Sequence, residues 1–355
     1  MKSDQAKFLE IIDELPDYCM MYFMSKADTY KPRTKVTYAI DLKSFFWYLI
    51  DALPDRFPYA KISDIPKDSL NTLVSDDIVM YMAYLNEYSM KDSDGSYPTK
   101  LNHDGNPEII VYKNGPAAKK RKLAALKSFF KYMMVNRKLT NDPTVYVDIP
   151  KLDEKAIITL SKKEEKKLKD CVSNGSGKTD RGKKFFEKTK YRDLAIITLF
   201  LGTGLRISEL CGLNMFDFDF EERRILVARK GHKQEFVYFN QEVLSTLTDY
   251  IELERPQLLK ETYDKKSDGP LFVSNRGTRI TVNRVEMIIK EYGRQVLPPN
   301  VKISAHLLRK TYGTNVYEKS GDLPLAQHAL GHSDPSTTAK FYIKFDENRL
   351  KKLRE

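Results

Sequence analysis

The sequence predicts a mostly α-helical protein with a small β-sheet, divided into an N-terminal helical bundle and a mixed α/β C-terminal domain. Three observations carry this. Apolar residues recur at helical spacing through most of the front part, and two short strand-like runs flank a basic turn near residues 224–239. Between these regions the run NDPTVYVDIPKLDEKAI, with Pro143 and Pro150, breaks helical periodicity. At 355 residues the chain exceeds most single cores, so two domains are expected, each able to bury its own. We place the domains at 1–152 and 153–355.

In order, a first helical region is expected from Asp4 to Ser25 and a second from Arg33 to Ala52, where Tyr38, Leu42, Phe45 and Leu49 share one face. Asp76 to Tyr88 reads as a third helix, and Pro116 to Asn136 as a fourth with proline in its first turn. Between the last two, the insert at about 91–115 carries Asp-Gly, Asn-Pro and Asn-Gly steps around the β-branched run Ile109 to Tyr112, which reads as a hairpin or mobile insert. Ser161, with Glu164 three residues on, starts a helix by a capping box. Asn174 to Lys190 is a polar loop, and Tyr191 to Phe200 an apolar helix leading into Gly202 and Arg206. Strands are expected at Arg224 to Arg229 and Glu235 to Phe239, with a third at Leu271 to Ser274. The rest reads as helix, ending in a charged tail from Asp346 to Glu355.

The net charge is +11, and it is uneven: residues 1–150 hold 21 Lys+Arg against 20 Asp+Glu, whereas 151–355 hold 39 against 29. A polyanionic partner is therefore expected, mainly for the second domain. Uninterrupted apolar runs long enough to span a bilayer are absent from the sequence, and the N-terminus lacks a signal-peptide pattern, so we expect a cytoplasmic protein with no membrane partner. Cys19, Cys171 and Cys211 are widely spaced, which indicates buried thiols and neither a disulfide framework nor a metal site. The GKT of NGSGKT is a decoy, because a P-loop needs glycine where Val172 stands and a strand where KKEEKKLKDCV is helical.

Four clusters carry the chemistry: GTGLRISEL (Gly202–Leu210), RKGHK (Arg229–Lys233), HLLR (His306–Arg309) and LGHSDPSTTAKFY (Leu330–Tyr342). A guanidinium stays protonated and matches two phosphate oxygens, so Arg206 and Arg309 are candidate phosphate ligands. His306 and Arg309 share a helix face at i, i+3, although HxxR alone is no more than a solvated face. Glu209, three residues after Arg206, is a candidate ion-pair partner holding it.

With these four clusters in this order, the chain resembles the tyrosine site-specific recombinases of the phage-integrase and Xer type. The resemblance covers about residues 155–350 at the level of motifs and the front bundle by general character. It implies a core-binding, SAM-like N-terminal bundle and a mixed α/β tyrosine-recombinase catalytic domain. It also implies roles: Tyr342 as nucleophile, His306 as general base, Lys230 as general acid with Lys233 as second choice, and His332 on the phosphate or the tyrosine, beside Arg206 and Arg309. Neither cofactor nor metal would be needed, because a phosphotyrosyl bond conserves the energy of the phosphodiester. Lys119, Lys120, Arg121 and Lys122 are the candidate DNA contacts of the front domain, and Lys233 is a further candidate in the second. The implied partners are double-stranded DNA with paired inverted-repeat half-sites, further copies of the chain in a homotetramer docked through the C-terminal tail, and a DNA translocase or accessory DNA-bending protein. The chain departs from the usual pattern at Lys310, where histidine is frequent, at Ile343 and Lys344, where Thr-His is common, and in placing Tyr342 ten residues after His332 rather than nine. The expected function is Xer-like resolution of chromosome dimers; the alternatives are integration of a mobile element, a type IB topoisomerase, and a non-enzymatic DNA-binding protein with a decayed site.

Overall fold

The computed structural model describes residues 3–91, 96–102, 104–148, 158–175, 186–229, 234–259, 269–299 and 301–331. The chain divides into two compact units, Met1–Lys155 and Ala156–Glu355. The junction expected near residue 152 falls outside the described residues.

The front unit contains α1 (Asp4–Ile12), α2 (Tyr18–Ser25), α3 (Pro32–Ala52), α4 (Ser75–Tyr84) and α5 (Pro116–Val135). The single helix expected from Asp4 to Ser25 is in fact two. Pro16 lacks an N–H and disfavours helical backbone at the residue before it, so the chain breaks there and restarts at Tyr18. α4 stops at Tyr84, short of the expected Tyr88, because Tyr88 leaves the helix to pair with Tyr112, exchanging hydrogen bonds of 3.1 and 2.8 Å. That bridge forms the base of the insert, which is a hairpin of β1 (Thr99–Leu101) and β2 (Pro107–Ile109) with Thr99 opposite Ile109. All six strand residues are exposed.

Leu42, Phe45 and Leu49 of α3 meet Leu126, Phe129, Phe130 and Met133 of α5 in a fully buried core. Lys122 belongs to this interior and not to a DNA-facing surface, which corrects the expectation for the basic cluster. Its side chain is 3% exposed, with Nζ 3.3 Å from Asp41 and donating to Ser44 Oγ at 2.7 Å. Arg121, at the rim, holds the same carboxylate at 2.8 Å. Lys119 donates to Asn86 at 2.7 Å, and Lys120 is exposed.

In the second unit α6 (Lys162–Asn174) begins at a capping box in which the Ser161 N–H donates to Glu164 at 2.8 Å and the Glu164 N–H donates to Ser161 Oγ at 3.3 Å. The central helix α7 (Lys190–Thr203) packs against α6, α9 (Gln241–Asp249) and α12 (Ala305–Ser320), and buries Ala195 to Leu201. Between these lie α8 (Ile207–Gly212), the strands β3 (Phe218–Asp219), β4 (Arg224–Ala228) and β5 (Gln234–Tyr238), α10 (Arg255–Leu258) and α11 (Val282–Val296); α13 (Leu323–Ala329) follows. The strands form an antiparallel sheet in the order β3-β4-β5, with Ile225 opposite Val237 and Val227 opposite Glu235.

The third strand is thus Phe218–Asp219, not Leu271–Ser274 as the sequence predicted. The carbonyls of Pro270, Leu271 and Val273 go to side chains instead, and that of Phe272 accepts the Ile280 N–H at 3.0 Å. Tyr250 donates to Leu271 at 3.1 Å, Arg255 to Pro270 at 3.0 Å and Arg192 to Val273 at 3.1 Å. Arg192 is wholly buried and uses its remaining donors on Asp193, at 2.8 and 3.0 Å, and on Asn275, at 2.8 Å. Glu254, in a π-helical turn after α9, accepts the Tyr191 and Arg192 N–H groups at 2.9 and 3.3 Å and so caps α7. All three cysteines are buried, and the Cys171 thiol donates to Gln295 at 3.2 Å. Among the described residues no helix is long and apolar enough to cross a membrane.

Candidate active site

The site begins where α7 ends. Gly204 takes a left-handed backbone, φ +61°, and a Cβ there would stand 2.3 Å from the ring of Tyr312, so both torsion and space require glycine. This turn delivers Arg206 as the N-cap of α8. One turn on, Glu209 accepts the Arg206 N–H at 2.8 Å and its Nη1 at 2.7 Å. Burial alone would raise the Glu209 carboxyl, but the Arg206 backbone and guanidinium and the Arg229 charge outweigh it and hold the group below the ordinary carboxylate range.

Three guanidinium groups meet around this carboxylate. Arg229, just past β4 and 8% exposed at its side chain, donates Nη1 to Glu209 at 3.0 Å and Nε to Glu235 of β5 at 2.9 Å. Arg309 of α12 lies 4.0 Å from Glu209 and donates to the carbonyls of Gly204, at 2.5 Å, and Leu330. Arg206 Nη2 donates to the next carbonyl, Gly331, at 3.0 Å. Gly331 also has positive φ, +57°, and a Cβ on it would lie 2.9 Å from the Arg229 guanidinium carbon. Burial first, then the charges of Arg206 and Arg229, push Arg309 down to about 10, with Glu209 opposing, so it stays cationic at neutral pH.

His306 sits in the first turn of α12 and keeps solvent contact. Loss of hydration, then the charges of Lys310 and Arg309, hold its imidazole below the ordinary histidine range. It is therefore neutral at pH 7 and able to accept a proton.

The structure thus gathers Arg206, Glu209 and Arg309, with His306 one turn before Arg309. Lys230, Lys233, His332 and Tyr342 lie outside the described residues, as does the C-terminal tail; Lys230 directly follows Arg229, and His332 directly follows Gly331. Arg229 was missed by the sequence reading. Its signal was the alternation of Ile225 and Val227, buried on one face of β4, which continues to residue 229. Chemically, the assembly offers fixed cationic donors and a neutral imidazole, suited to a phosphodiester on which negative charge develops.

Comparison with known proteins agrees. Residues 159–349 match the model of the Phage integrase family. The chain is 31% identical to the tyrosine recombinase XerC of Caldanaerobacter subterraneus subsp. tengcongensis across 99% of its own length and 89% of that protein's. It is 29% identical to the tyrosine recombinase XerS of Streptococcus uberis, covering 97% and 98%. In fold it is similar to the XerH site-specific recombinase, whose crystal structure is a post-cleavage complex with a palindromic difH substrate: TM-score 0.65, 22% identity, with 99% of this chain and 88% of that one covered. With a family model spanning more than half of its residues and a relative of this identity along nearly all of them, the chain belongs to the phage integrase family, among its Xer-type tyrosine recombinases.

Proposed function

We propose that this protein recombines DNA at specific sites by tyrosine-mediated strand exchange, in the manner of Xer enzymes. The observation that carries the reading is the convergence of Arg206 and Arg309, from α8 and α12, on adjacent carbonyls next to His332, with Glu209 between them. In this reading the two arginines hold the non-bridging oxygens of the scissile phosphate. Tyr342 gives its proton to His306 and attacks phosphorus; the bond to the 5′ oxygen breaks, and Lys230 protonates that oxygen as it leaves. A 3′-phosphotyrosyl bond and a free 5′ hydroxyl result, and the 5′ hydroxyl of a partner strand reverses the step to form a Holliday junction. His332 binds the phosphate or orients the tyrosine. Four copies act on two inverted-repeat sites, and the biological task is resolution of chromosome dimers, a role supported by Xer relatives that match the whole chain.

The test is trapping of a covalent protein–DNA adduct on nicked suicide substrates, without added metal, comparing the native protein with Tyr342→Phe. One set of substrates comes from chromosomal resolution sites and another from DNA flanking the gene. An adduct with the native protein alone supports the tyrosine mechanism, and the substrate cut separates chromosome resolution from mobile-element integration. Specific binding with no adduct from either protein would leave a non-catalytic DNA-binding protein, and relaxation of supercoils without a second site would indicate topoisomerase action.

A further inference from the structure

Glu209 must neutralise more than the arginine it caps. Its Oε2 receives both the Arg206 N–H and Arg229 Nη1, while Oε1 receives Arg206 Nη1. Arg229 also reaches Glu235 with Nε, so one planar guanidinium ties α8 to β5. The same group fills the space beneath Gly331, whose carbonyl accepts from Arg206. A fork of this kind fixes the orientation of a carboxylate as well as its charge, which the single ammonium of a lysine cannot do.

We propose that Arg229 is a positioning residue of the catalytic centre, acting through Glu209 to aim Arg206 at the scissile phosphate and through Gly331 to seat the backbone that leads to His332. This deepens the strand-cleavage reading and rests on it. Arg229 touches no reacting atom in this scheme. Without it, Glu209 would keep Arg206 and, at 4.0 Å, Arg309, but would lose the one guanidinium that ties it to the sheet, and the Arg206 head would be held less firmly in the fixed geometry on which preorganised charge stabilisation depends. Glu235 is the outer anchor of the device; its Oε1 lies 3.9 Å from His328 Nδ1, at the surface.

The experiment measures the single-turnover rate of adduct formation on two suicide substrates, one with an ordinary scissile phosphodiester and one with a methylphosphonate there, in which a methyl group replaces a charged non-bridging oxygen. Native protein, Arg229→Met and Arg229→Lys are compared, with DNA affinity and the circular dichroism of each. The expected result is a loss of about tenfold or more for Arg229→Met on the phosphodiester, with affinity within about threefold of native. The deficit should shrink on the methylphosphonate, where there is less charge for Arg206 to stabilise, and Arg229→Lys should fall between. Equal deficits on both substrates would assign Arg229 a general structural role, and native rates on the phosphodiester would remove it from the mechanism; either result overturns the proposal. Should Arg229→Met fail to fold, Arg229→Lys decides by the same comparison. Absence of an adduct from the native protein on both substrates would instead defeat the cleavage reading, and this proposal with it.

Discussion

The ring of Tyr312 occupies the space that a side chain on Gly204 would need, at 2.3 Å from the position of its Cβ. Because Gly204 also has φ +61°, alanine there meets both torsional strain and a collision. Gly204→Ala should destabilise the protein by about 2–3 kcal/mol and slow cleavage, since the turn delivers Arg206. Thermal unfolding and adduct formation, measured together, check this. An unchanged unfolding midpoint would mean that the turn has room to relax.

His306 is held below the ordinary histidine range by lost hydration and by the charges of Lys310 and Arg309. As a general base it must be neutral, so the cleavage rate should fall on the acid side as the imidazole protonates. Lys310→Met removes one of the two repelling charges and leaves that of Arg309. The acid limb of the pH–rate profile should then move to higher pH. A limb that stays in place would separate His306 from the proton transfer.

Lys122 and Lys120 are near neighbours in sequence and opposite in consequence. Burial lowers the Lys122 ammonium against the pull of Asp41, and burial raises Asp41 against Lys122 and Arg121. Lys122→Met should cost about 3 kcal/mol, the low end for breaking a buried pair, because Arg121 still faces the carboxylate. Lys120→Ala should leave stability unchanged and, if it meets a phosphate, weaken DNA binding and reduce the slope of log affinity against log salt by about one. Denaturant titration and binding at several salt concentrations distinguish the two.

Glu254 is pushed up to about 7, chiefly by burial, against the backbone N–H groups it accepts. A carboxyl raised in the folded state contributes stability that is full below its unfolded value and is lost as pH rises through about 7. Glu254→Gln cannot ionise and still offers a carbonyl to α7. Relative to the native protein it should gain on the order of 2 kcal/mol between pH 5 and pH 8, read from unfolding at both. A pH-independent difference would show that Glu254 is ionised throughout.

Much of this was legible in the sequence. Helical spacing located α3 and α5 nearly to the residue, and Ser161 with Glu164 marked the start of α6. The errors have local causes. Pro16 divides the first helix, and the Leu271–Ser274 segment is largely apolar, as a strand would be, but the carbonyls of Leu271 and Val273 go to Arg192, Arg255 and Tyr250, partners that no short-range pattern names. Lys122 was a different kind of miss. It shares a stripe with Leu126, Phe129 and Met133 at i, i+4, i+7 and i+11, so the period that found the helix also turned the lysine inward, and grouping it with its charged neighbours hid that. In the site, Arg206, Glu209 and Arg309 came from motifs, while Arg229 required the alternation of β4 to be carried one residue beyond its last apolar position.

Arg192 sets a condition on how the second unit can open. Its charge is buried with all three guanidinium nitrogens engaged, and two of its acceptors come from Val273 and Asn275, distant in sequence. If the Pro270–Asn275 segment lifts away, Nη1 of a guanidinium in an apolar interior loses both its acceptors while Asp193 holds the other nitrogens, a cost that is relieved by admitting water to the centre of the unit. Partial detachment of this segment is therefore a poor resting point. The unit should gain and lose it together with α7, as one cooperative step, and amide exchange should report nearly equal protection for the buried N–H groups of α7 and of Leu271 and Val273.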